Sequence, residues 1–198
     1  MRIKQTTVAA LTAALFISAT SLPAWSEWQL DGDRSAITFL STKNLAIAEQ
    51  HRFDQLNGSV TDDGRATVNI ELASVESLIP IRNERMREML FEVVDFPLAT
   101  LTATVEPAVL ESLLSGGMVT TDLPVTVKLH GKEKVLSTRV AVMGEAETLH
   151  VIAVEPVLVA ARDFGLDGGV EALRDIAGLN SISSVVPVSF ALVFEPVE

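Results

Sequence analysis

The triplet Asp163-Phe164-Gly165 is the stretch of this sequence that most resembles a catalytic motif. In protein kinases, the aspartate of the same triplet binds magnesium next to ATP. A kinase also requires a glycine-rich phosphate loop, a lysine on a strand and an H-R-D catalytic loop. Because none of these precedes Asp163, the sequence excludes kinase chemistry. It instead predicts that Phe164 packs in the core, that Gly165 makes a turn, and that Arg162 and Asp163 form an ion pair.

Metal binding and nucleophilic catalysis also lack a recognisable arrangement of side chains. The three histidines, His51, His130 and His150, are far apart and form neither an H-x-H nor an H-E-x-x-H pattern. The sequence has no cysteine and no G-x-S-x-G motif around a serine. Asp62 and Asp63 precede a glycine, which is typical of a turn. No catalytic residue, metal site or cofactor is therefore predicted.

The first residues have the three-part pattern of a secretory signal peptide. Arg2 and Lys4 supply positive charge, residues 8–17 are apolar except for Thr12, and residues 24–26 (AWS) have a small-x-small pattern. The apolar run is shorter than the roughly 20 residues that span a bilayer. We therefore expect residues 1–26 to be cleaved and residues 27–198 to form one exported domain.

The net charge of the expected mature domain limits the kinds of partner that it can bind. The full chain has a formal net charge of −11, and loss of Arg2 and Lys4 with the signal peptide leaves −13. Such an acidic protein does not favour nucleic acid or anionic lipid headgroups. No second apolar stretch is long enough for a transmembrane helix, so a soluble monomer or homodimer is expected.

Apolar and polar residues alternate with period two through most of the mature chain, which predicts β-strands. About eight strands are expected, at residues 35–41, 50–60, 67–72, 99–105, 123–130, 135–143, 148–160 and 186–194. Turns are expected at residues 62–64, 130–132 and 144–145. This pattern favours a sandwich or an up-and-down barrel.

Two or three short helices interrupt the strands. Residues 82–91 (RNERMREMLF) place Met86, Met89 and Leu90 on one face, with charges opposite. Residues 107–114 begin with proline and end before two glycines, and residues 170–177 are a third candidate. The first helix either closes one end of a barrel or acts as a lid whose methionines contact a ligand.

Several inferred inward positions carry small side chains, namely Ala99, Ala103 and Ala153. Eight strands make a barrel that is either filled by side chains or able to hold one small ligand. Small inward residues leave room for an apolar ligand, but the taper of a filled barrel explains them equally well.

The ordered set of segments along the mature chain resembles the YceI-like family, the polyisoprenoid-binding proteins of bacterial periplasms. The matching segments are residues 28–31 (WQLD) with 34–39 (RSAITF), Arg52-Phe53 with Gly58 and Val60, residues 74–77 (SVES), Arg82-Asn83 with Met86, residues 91–93 (FEV) with 96–99 (FPLA), residues 122–127 (DLPVTV) with His130-Gly131, and residues 162–166 (RDFGL). The sequence departs from the family pattern at Asn83, where aspartate is usual, at His51, where glycine is common, and over residues 43–50.

The resemblance implies an all-β fold, an eight-stranded antiparallel lipocalin-like barrel with helical additions. It implies a periplasmic, non-catalytic protein that holds an isoprenoid or ubiquinone-like amphiphile in its lumen, for transport, storage or stress protection. The candidates for the lining are Phe39, Phe53, Leu72, Leu101, Phe164 and Phe190. The candidates for the mouth are Met86, Met89, Leu90 and Phe91, with Arg82 or Arg162 near the ligand head.

Two alternatives remain open at this point. A periplasmic enzyme acting on a lipid or a stress metabolite would need an inward group of titratable residues, such as His51 and Asp163 within hydrogen-bonding distance. A protein-interaction module would need a filled lumen and a large exposed apolar patch.

Overall fold

The structure, a computed structural model, describes residues 27–146 and 148–197, so the predicted signal peptide lies outside the described residues. The described chain is mostly β, with strands that follow one another through short connections. The strands are β1 (Trp28–Leu30), β2 (Ala36–Lys43), β3 (Ile47–Phe53), β4 (Leu56–Val60), β5 (Arg65–Glu71), β6 (Val75–Glu76), β7 (Leu98–Thr104), β8 (Met118–Leu129), β9 (Lys132–Glu145), β10 (Thr148–Ala153), β11 (Val157–Ala160) and β12 (Val185–Pro196). The α-helices are α1 (Pro80–Arg85), α2 (Pro107–Leu114) and α3 (Asp167–Ile176).

Eight of these strands close into an antiparallel barrel, which confirms the predicted fold class. Around the ring the order is β1, β4, β5, β7, β8, β9, β10 and β12, with β12 pairing back to β1. The closure places Trp28 opposite Pro196 and Leu30 opposite Phe194. A closed ring leaves few unpaired strand edges and encloses the inward side chains of every strand.

Strand β12 contacts different neighbours along its two halves. Val188 pairs with Val157 of β11 on one side and with Phe39 of β2 on the other. Further on, Phe194 pairs with Leu149 of β10 and with Leu30 of β1. The barrel wall therefore continues beyond β1 and β4 into the β2–β3 hairpin, whose β3 also pairs with β6.

Two predicted strands are each divided in the structure. The prediction of one strand over residues 50–60 is wrong, because the N–H groups of Asp54 and Gln55 donate to the carbonyl and the hydroxyl of Ser74. The chain turns there, so β3 ends before β4 begins. The prediction over residues 148–160 is wrong for a similar reason, since Pro156 lacks an N–H and separates β10 from β11.

The turn expected at residues 144–145 is also displaced, because Gly144 lies within β9. Its lack of a side chain permits close packing instead of a turn. A Cβ atom at Gly144 would lie 1.9 Å from the carbonyl oxygen of Leu113, so only glycine lets α2 pack on this strand. The chain reverses one residue beyond β9, at Ala146, with a positive φ of 47°.

The predicted helices are present, with one change of geometry. Helix α2 has the predicted bounds, whereas α3 begins three residues earlier than expected, at Asp167. The helix expected at residues 82–91 is α-helical as far as Arg85 and π-helical over Met86–Leu90. At its end, the Phe91 N–H donates to the carbonyl of Met86 at 2.9 Å. Each turn of the π segment holds more residues, which changes the directions of Leu90 and Phe91 relative to an α-helix.

Candidate ligand-binding cavity

The barrel encloses a cavity of about 270 Å³. Its wall is formed by the inward residues of the ring strands together with residues of β2, β3 and β11. Within residues 27–146 and 148–197, all lining residues are apolar except Thr102, Thr138, Ser183 and Ser184, and none carries a charge. Apolar cavities of roughly 150 Å³ stay dry and bind small hydrocarbons, so this lining suits an apolar ligand better than water.

Helical segments lie at the two ends of the cavity. Leu90 and Phe91 of the π segment and Leu166 and Val170 near the start of α3 line one end. Leu110 and Leu113 of α2 line the other. The π segment precedes β7 and α2 follows it, which places these segments at opposite ends of the strand.

Most of the predicted lining residues lie in the wall of the cavity, namely Phe39, Phe53, Leu72, Leu101 and Phe190. Phe164 does not line it. This side chain is 0% exposed and packs with Ala161 and Leu166 in a separate core cluster. The expectation that Phe164 packs in the core is confirmed, and the residues that line this cavity do not include it.

Two of the three alanines predicted to face inward line the cavity, and the third does not. Ala99 and Ala103 line the cavity, as does Ala66, the neighbour of Ala103 on β5. Ala153 is only partly buried and is not among the lining residues. Small residues on β5 and β7 therefore provide much of the room in the lumen.

The four predicted mouth residues have three different positions. Leu90 and Phe91 line the cavity. Met86 is 5% exposed and packs in the main core, so it supports the closing segment without facing the cavity. Met89 is partly buried and lies outside the lining. The backbone of Met89 is instead the surface on which Gly169 of α3 packs.

Of the two arginines expected near a ligand head, Arg82 forms an ion pair and Arg162 is exposed to solvent. The guanidinium of Arg82 donates to both carboxylate oxygens of Glu49, at 3.1 and 3.2 Å. Arg162 is exposed on the 3₁₀ turn Ala161–Phe164. The predicted ion pair between Arg162 and Asp163 is wrong, because Asp163 pairs with Lys134 of β9. Gly165 makes the expected turn, with a left-handed φ of 72°.

A row of aromatic rings leads from the cavity towards the β2–β3 hairpin. The ring of Phe91 lies 5.8 Å from that of Phe53, which lies 5.5 Å from Phe39. Phe39 in turn lies 5.1 Å from the imidazole of His51. These separations are in the range of favourable aromatic contacts. His51 therefore stands next to residues of the cavity wall, although it does not line the cavity itself.

Beyond these rings, the same face of the hairpin becomes polar. His51 is 3% exposed, and its Nε2 lies 2.8 Å from the hydroxyl of Ser41. Its Nδ1 is buried without a hydrogen-bond partner among the described residues. Lys43 lies 2.8 Å from the Glu49 carboxylate, which also accepts from Arg82. The hairpin thus carries a hydrogen-bonded pair followed by two charges, Lys43 and Glu49, that are linked to Arg82 of helix α1.

Burial and the neighbouring charges determine the protonation of this cluster. Burial lowers the pKa of His51, and the positive charge of Arg82 lowers it further. The hydrogen bond from Lys43 lowers the pKa of Glu49, with the charge of Arg82 acting in the same direction. At neutral pH the imidazole is therefore uncharged and the carboxylate is ionised.

Asn83, one of the departures from the family pattern, fixes the position of α1. Its side-chain oxygen accepts from the N–H of Ser77 at 2.8 Å and from the Ser77 hydroxyl. A hydrogen bond from Asn83 also lowers the pKa of Glu76. An aspartate would accept the same two bonds from Ser77 but would repel Glu76, so the amide suits this neighbour.

The arrangement that the enzyme alternative required is not formed. His51 is bonded to Ser41, whereas Asp163 is paired with Lys134. Within the part of the chain that the structure describes, no three His, Asp or Glu side chains are gathered as a metal site. In the same residues, no helix is both long and apolar enough to cross a membrane.

Sequence reasoning missed the cluster of Lys43, Ser41, Glu49 and His51. Residues 43–49 were not assigned to strands, although β2 and β3 include most of them. The alternation of residues 39, 41 and 43 with their neighbours was the signal that could have placed them on the inward face.

Comparison with solved structures supports both the fold and a family relationship. The structure of a polyisoprenoid binding domain from Saccharophagus degradans, implicated in plant cell wall breakdown, is 38% identical to this chain with a TM-score of 0.83. The match covers 86% of this chain and 98% of that one. No protein among the curated sequences matches the chain.

Two more distant structures share the fold. BcnA of Burkholderia cenocepacia is 17% identical, with a TM-score of 0.65 and coverage of 83% of this chain and 98% of that one. A YceI protein of Campylobacter jejuni is 13% identical, with a TM-score of 0.55 and coverage of 79% and 90%. At these identities the likeness concerns the barrel alone.

A family model describes the same region from sequence. The model of the YceI-like domain matches residues 28–194, which include the whole closed ring except the last residues of β12. The chain therefore belongs to the family of proteins with a YceI-like domain.

Proposed function

We propose that this protein is an exported, non-catalytic carrier that holds the apolar tail of an isoprenoid or quinone-like lipid in its barrel. The observation that carries this proposal is the cavity of about 270 Å³, whose lining has four hydroxyl side chains and no charge. The roles that fit such a site are transport, storage or protection of the lipid during stress.

The hydrophobic effect provides the driving force for such binding. Removing apolar surface from water contributes about 25 cal/mol for each Å². A tail that buries about 400 Å² would gain about 10 kcal/mol before the cost of ordering it. A lumen without charged groups provides this gain with no covalent step.

The chemistry of the relative supports a branched hydrocarbon tail. The Saccharophagus degradans domain, 38% identical over 98% of its length, is described as binding polyisoprenoids. Five of the six predicted lining positions of the present chain belong to its cavity wall. Because side chains do not fill the lumen, the cavity also argues against the interaction-module alternative, which requires a filled lumen.

Export to the periplasm is the second part of the proposal, and it rests on residues 1–26. Fractionation of cells that express the chain with a C-terminal tag tests it. The mature protein should be found in the periplasmic fraction, with an N-terminus at or near Glu27. Uncleaved protein that begins at Met1 and is found in the cytoplasmic fraction would contradict export. It would leave the proposal of lipid binding unchanged.

The decisive experiment for binding is mass spectrometry of organic extracts from natively purified protein, with a variant that fills the lumen. Ala103→Phe inserts a ring into the cavity, whereas Thr104→Phe places the same ring at the next, exposed position of β7. We expect a co-purifying isoprenoid lipid in the parent protein and in Thr104→Phe, and a loss of at least tenfold in Ala103→Phe. No lipid in the parent, and no uptake of added isoprenoids, would contradict the proposed function.

A further inference from the structure

The inward face of the β2–β3 hairpin changes from apolar to charged over a short distance. Cross-strand neighbours share this face, with Ile37 opposite Phe53, and Phe39 opposite His51. The next pair along the hairpin is Ser41 opposite Glu49. One end of this series belongs to the cavity wall and the other carries an ionised carboxylate. An amphiphile changes in the same order along its length, from an apolar tail to a polar head.

At the boundary between the two regions stands a buried polar atom without a partner. None of the described residues hydrogen-bonds to Nδ1 of His51, while Nε2 is bonded to Ser41. A buried polar atom without a partner is destabilising, and in native proteins it often marks a functional site. This atom is adjacent to Phe39, a residue of the cavity wall.

We propose that Nδ1 of His51 hydrogen-bonds to an uncharged, oxygen-bearing head group of the bound lipid, whose tail passes Phe39 and Phe53 into the cavity. This assignment rests on the proposed function, since it names the head of the same ligand. Because His51 does not line the cavity, the ring of Phe39 turns aside when the head enters.

The charges on the hairpin favour an uncharged head over a phosphate. Both nearby cations, Lys43 and Arg82, are already bonded to the carboxylate of Glu49. A diphosphate would have to break these ion pairs and would then be repelled by Glu49. The uncharged imidazole of His51 offers no compensating charge, so the site suits an alcohol or a quinone carbonyl.

The tautomer of His51 determines whether the head group can be a quinone carbonyl or must be an alcohol. If Nε2 accepts from the Ser41 hydroxyl, Nδ1 carries the proton and donates to a carbonyl or to an alcohol oxygen. If Nε2 donates to Ser41, Nδ1 can only accept, and the head must be an alcohol. Binding of a quinone therefore requires the first tautomer, whereas an alcohol is compatible with both.

Two amide substitutions separate the ring nitrogens. His51→Gln places an amide where Nε2 meets Ser41 and has no atom equivalent to Nδ1. His51→Asn retains a polar atom at the position of Nδ1 but does not extend to Ser41. The pair is a matched control, because both variants keep a polar side chain of smaller volume at the same buried position.

The test measures the partition of four probes, each built on a C20 isoprenoid skeleton, between phosphatidylcholine vesicles and the purified protein. The probes are geranylgeraniol, geranylgeranyl diphosphate, a quinone with the same tail, and the hydrocarbon phytane. We expect the parent to prefer the alcohol or the quinone over phytane by about threefold to tenfold, the worth of one hydrogen bond. His51→Gln should lose this preference while it retains phytane, and His51→Asn should keep it.

The outcomes separate the head site from the proposed function. Equal binding of phytane and the oxygen-bearing probes by the parent, or an unchanged preference in His51→Gln, would overturn the head site but leave tail binding intact. Preference for the diphosphate would overturn the uncharged head. Failure of the parent to take up any probe would overturn the proposed function itself.

A measurement on the unaltered protein tests the same hydrogen bond without any variant, so it remains valid if a variant does not fold. In ¹⁵N NMR spectra, the Nδ1 resonance of His51 should shift on addition of geranylgeraniol or the quinone and stay in place with phytane. A shift with the quinone identifies the tautomer protonated at Nδ1. The same response to phytane as to the other two probes would contradict a hydrogen bond to the head.

Discussion

Arg82 of helix α1 and Glu49 of strand β3 form a bidentate ion pair, with two nitrogen–oxygen distances of 3.1 and 3.2 Å. The side chains are 23% and 31% exposed, and Lys43 contacts the same carboxylate. This pair joins the segment that closes one end of the cavity to the hairpin that extends the barrel wall. It adds to the hydrogen bonds between Asn83 and Ser77, which also hold helix α1 in place.

The first prediction concerns this ion pair. Arg82→Ala should lower the free energy of unfolding by about 0.5–1 kcal/mol, since partly exposed pairs contribute little more. Arg82→Lys should not restore the loss, because an ammonium group cannot make the two parallel bonds of a guanidinium. Urea unfolding measures both variants, with Glu84→Ala at an exposed position of the same helix as the control. Full stability in Arg82→Lys would show that charge alone, without bidentate geometry, is sufficient.

The second prediction concerns the pH dependence of stability at His51. Burial keeps the native pKa below the ordinary value of 6.5, so the unfolded chain binds a proton first as the pH falls. The contribution of the uncharged ring is present above pH 6.5 and is lost as the pH falls through the native pKa. Glu49, whose own pKa is below 4.5, stays ionised throughout this range.

Urea unfolding between pH 7.5 and 5 checks this prediction in the parent and in His51→Gln, which cannot titrate at this position. The parent should lose stability more steeply below pH 6.5 than the variant. His130 and His150 are present in both proteins, so their effects cancel. Parallel curves would mean that His51 is protonated as easily in the folded protein as in the unfolded one.

The third prediction separates a core aromatic from a lining aromatic. Phe164→Ala should lower stability by about 3–5 kcal/mol, the usual cost of removing a fully buried ring. It should change uptake of phytane per folded molecule less than Phe190→Ala does, because Phe164 does not itself line the cavity. Phe190→Ala should cost less stability and alter uptake, since Phe190 is partly buried and lines the cavity. If Phe164→Ala does not fold, Phe164→Leu provides the same comparison with a smaller loss.

The fourth prediction concerns the contact between Gly144 and helix α2. In Gly144→Ala, the added Cβ would lie 1.9 Å from the backbone oxygen of Leu113, so the helix must move. Stability should fall by about 1–3 kcal/mol, as for other overpacked sites. Gly168→Ala in α3 is the control, because its Cβ would meet no atom within 4 Å. That substitution should stabilise the protein by about 0.4–1 kcal/mol, and equal effects in thermal unfolding would contradict the packing argument.

The barrel was predictable from sequence because most strands of the ring carry the period-two pattern of a wall with one apolar face. The breaks at residues 54–55 and 154–156 were not predicted, because apolar residues typical of strands continue on both sides of each break, whereas the hydrogen-bond partners change there. Strand pairing is a non-local property, and a local pattern does not contain it.

The site was predictable in part for the same reason. Phe39, Phe53, Leu101 and Phe190 lie on inward faces whose direction follows from alternation. The position of Phe164 depends on how a short 3₁₀ turn packs against its neighbours. The bond between Ser41 and His51 arises only when two strands pair in one register, so their spacing in sequence did not reveal it.

The pairing of β12 with β1, β2, β10 and β11 has a consequence for how the molecule folds. β12 is the last strand of the ring in chain order, yet it pairs with the first, which joins Trp28 to Pro196. The ring therefore cannot close until residues 185–196 have paired with β1 and β10. Contacts over so large a sequence separation are slow to form. The folding rate of this protein should accordingly be limited by the docking of one terminal strand, and the nascent chain should depend on chaperones to keep its apolar faces from aggregating.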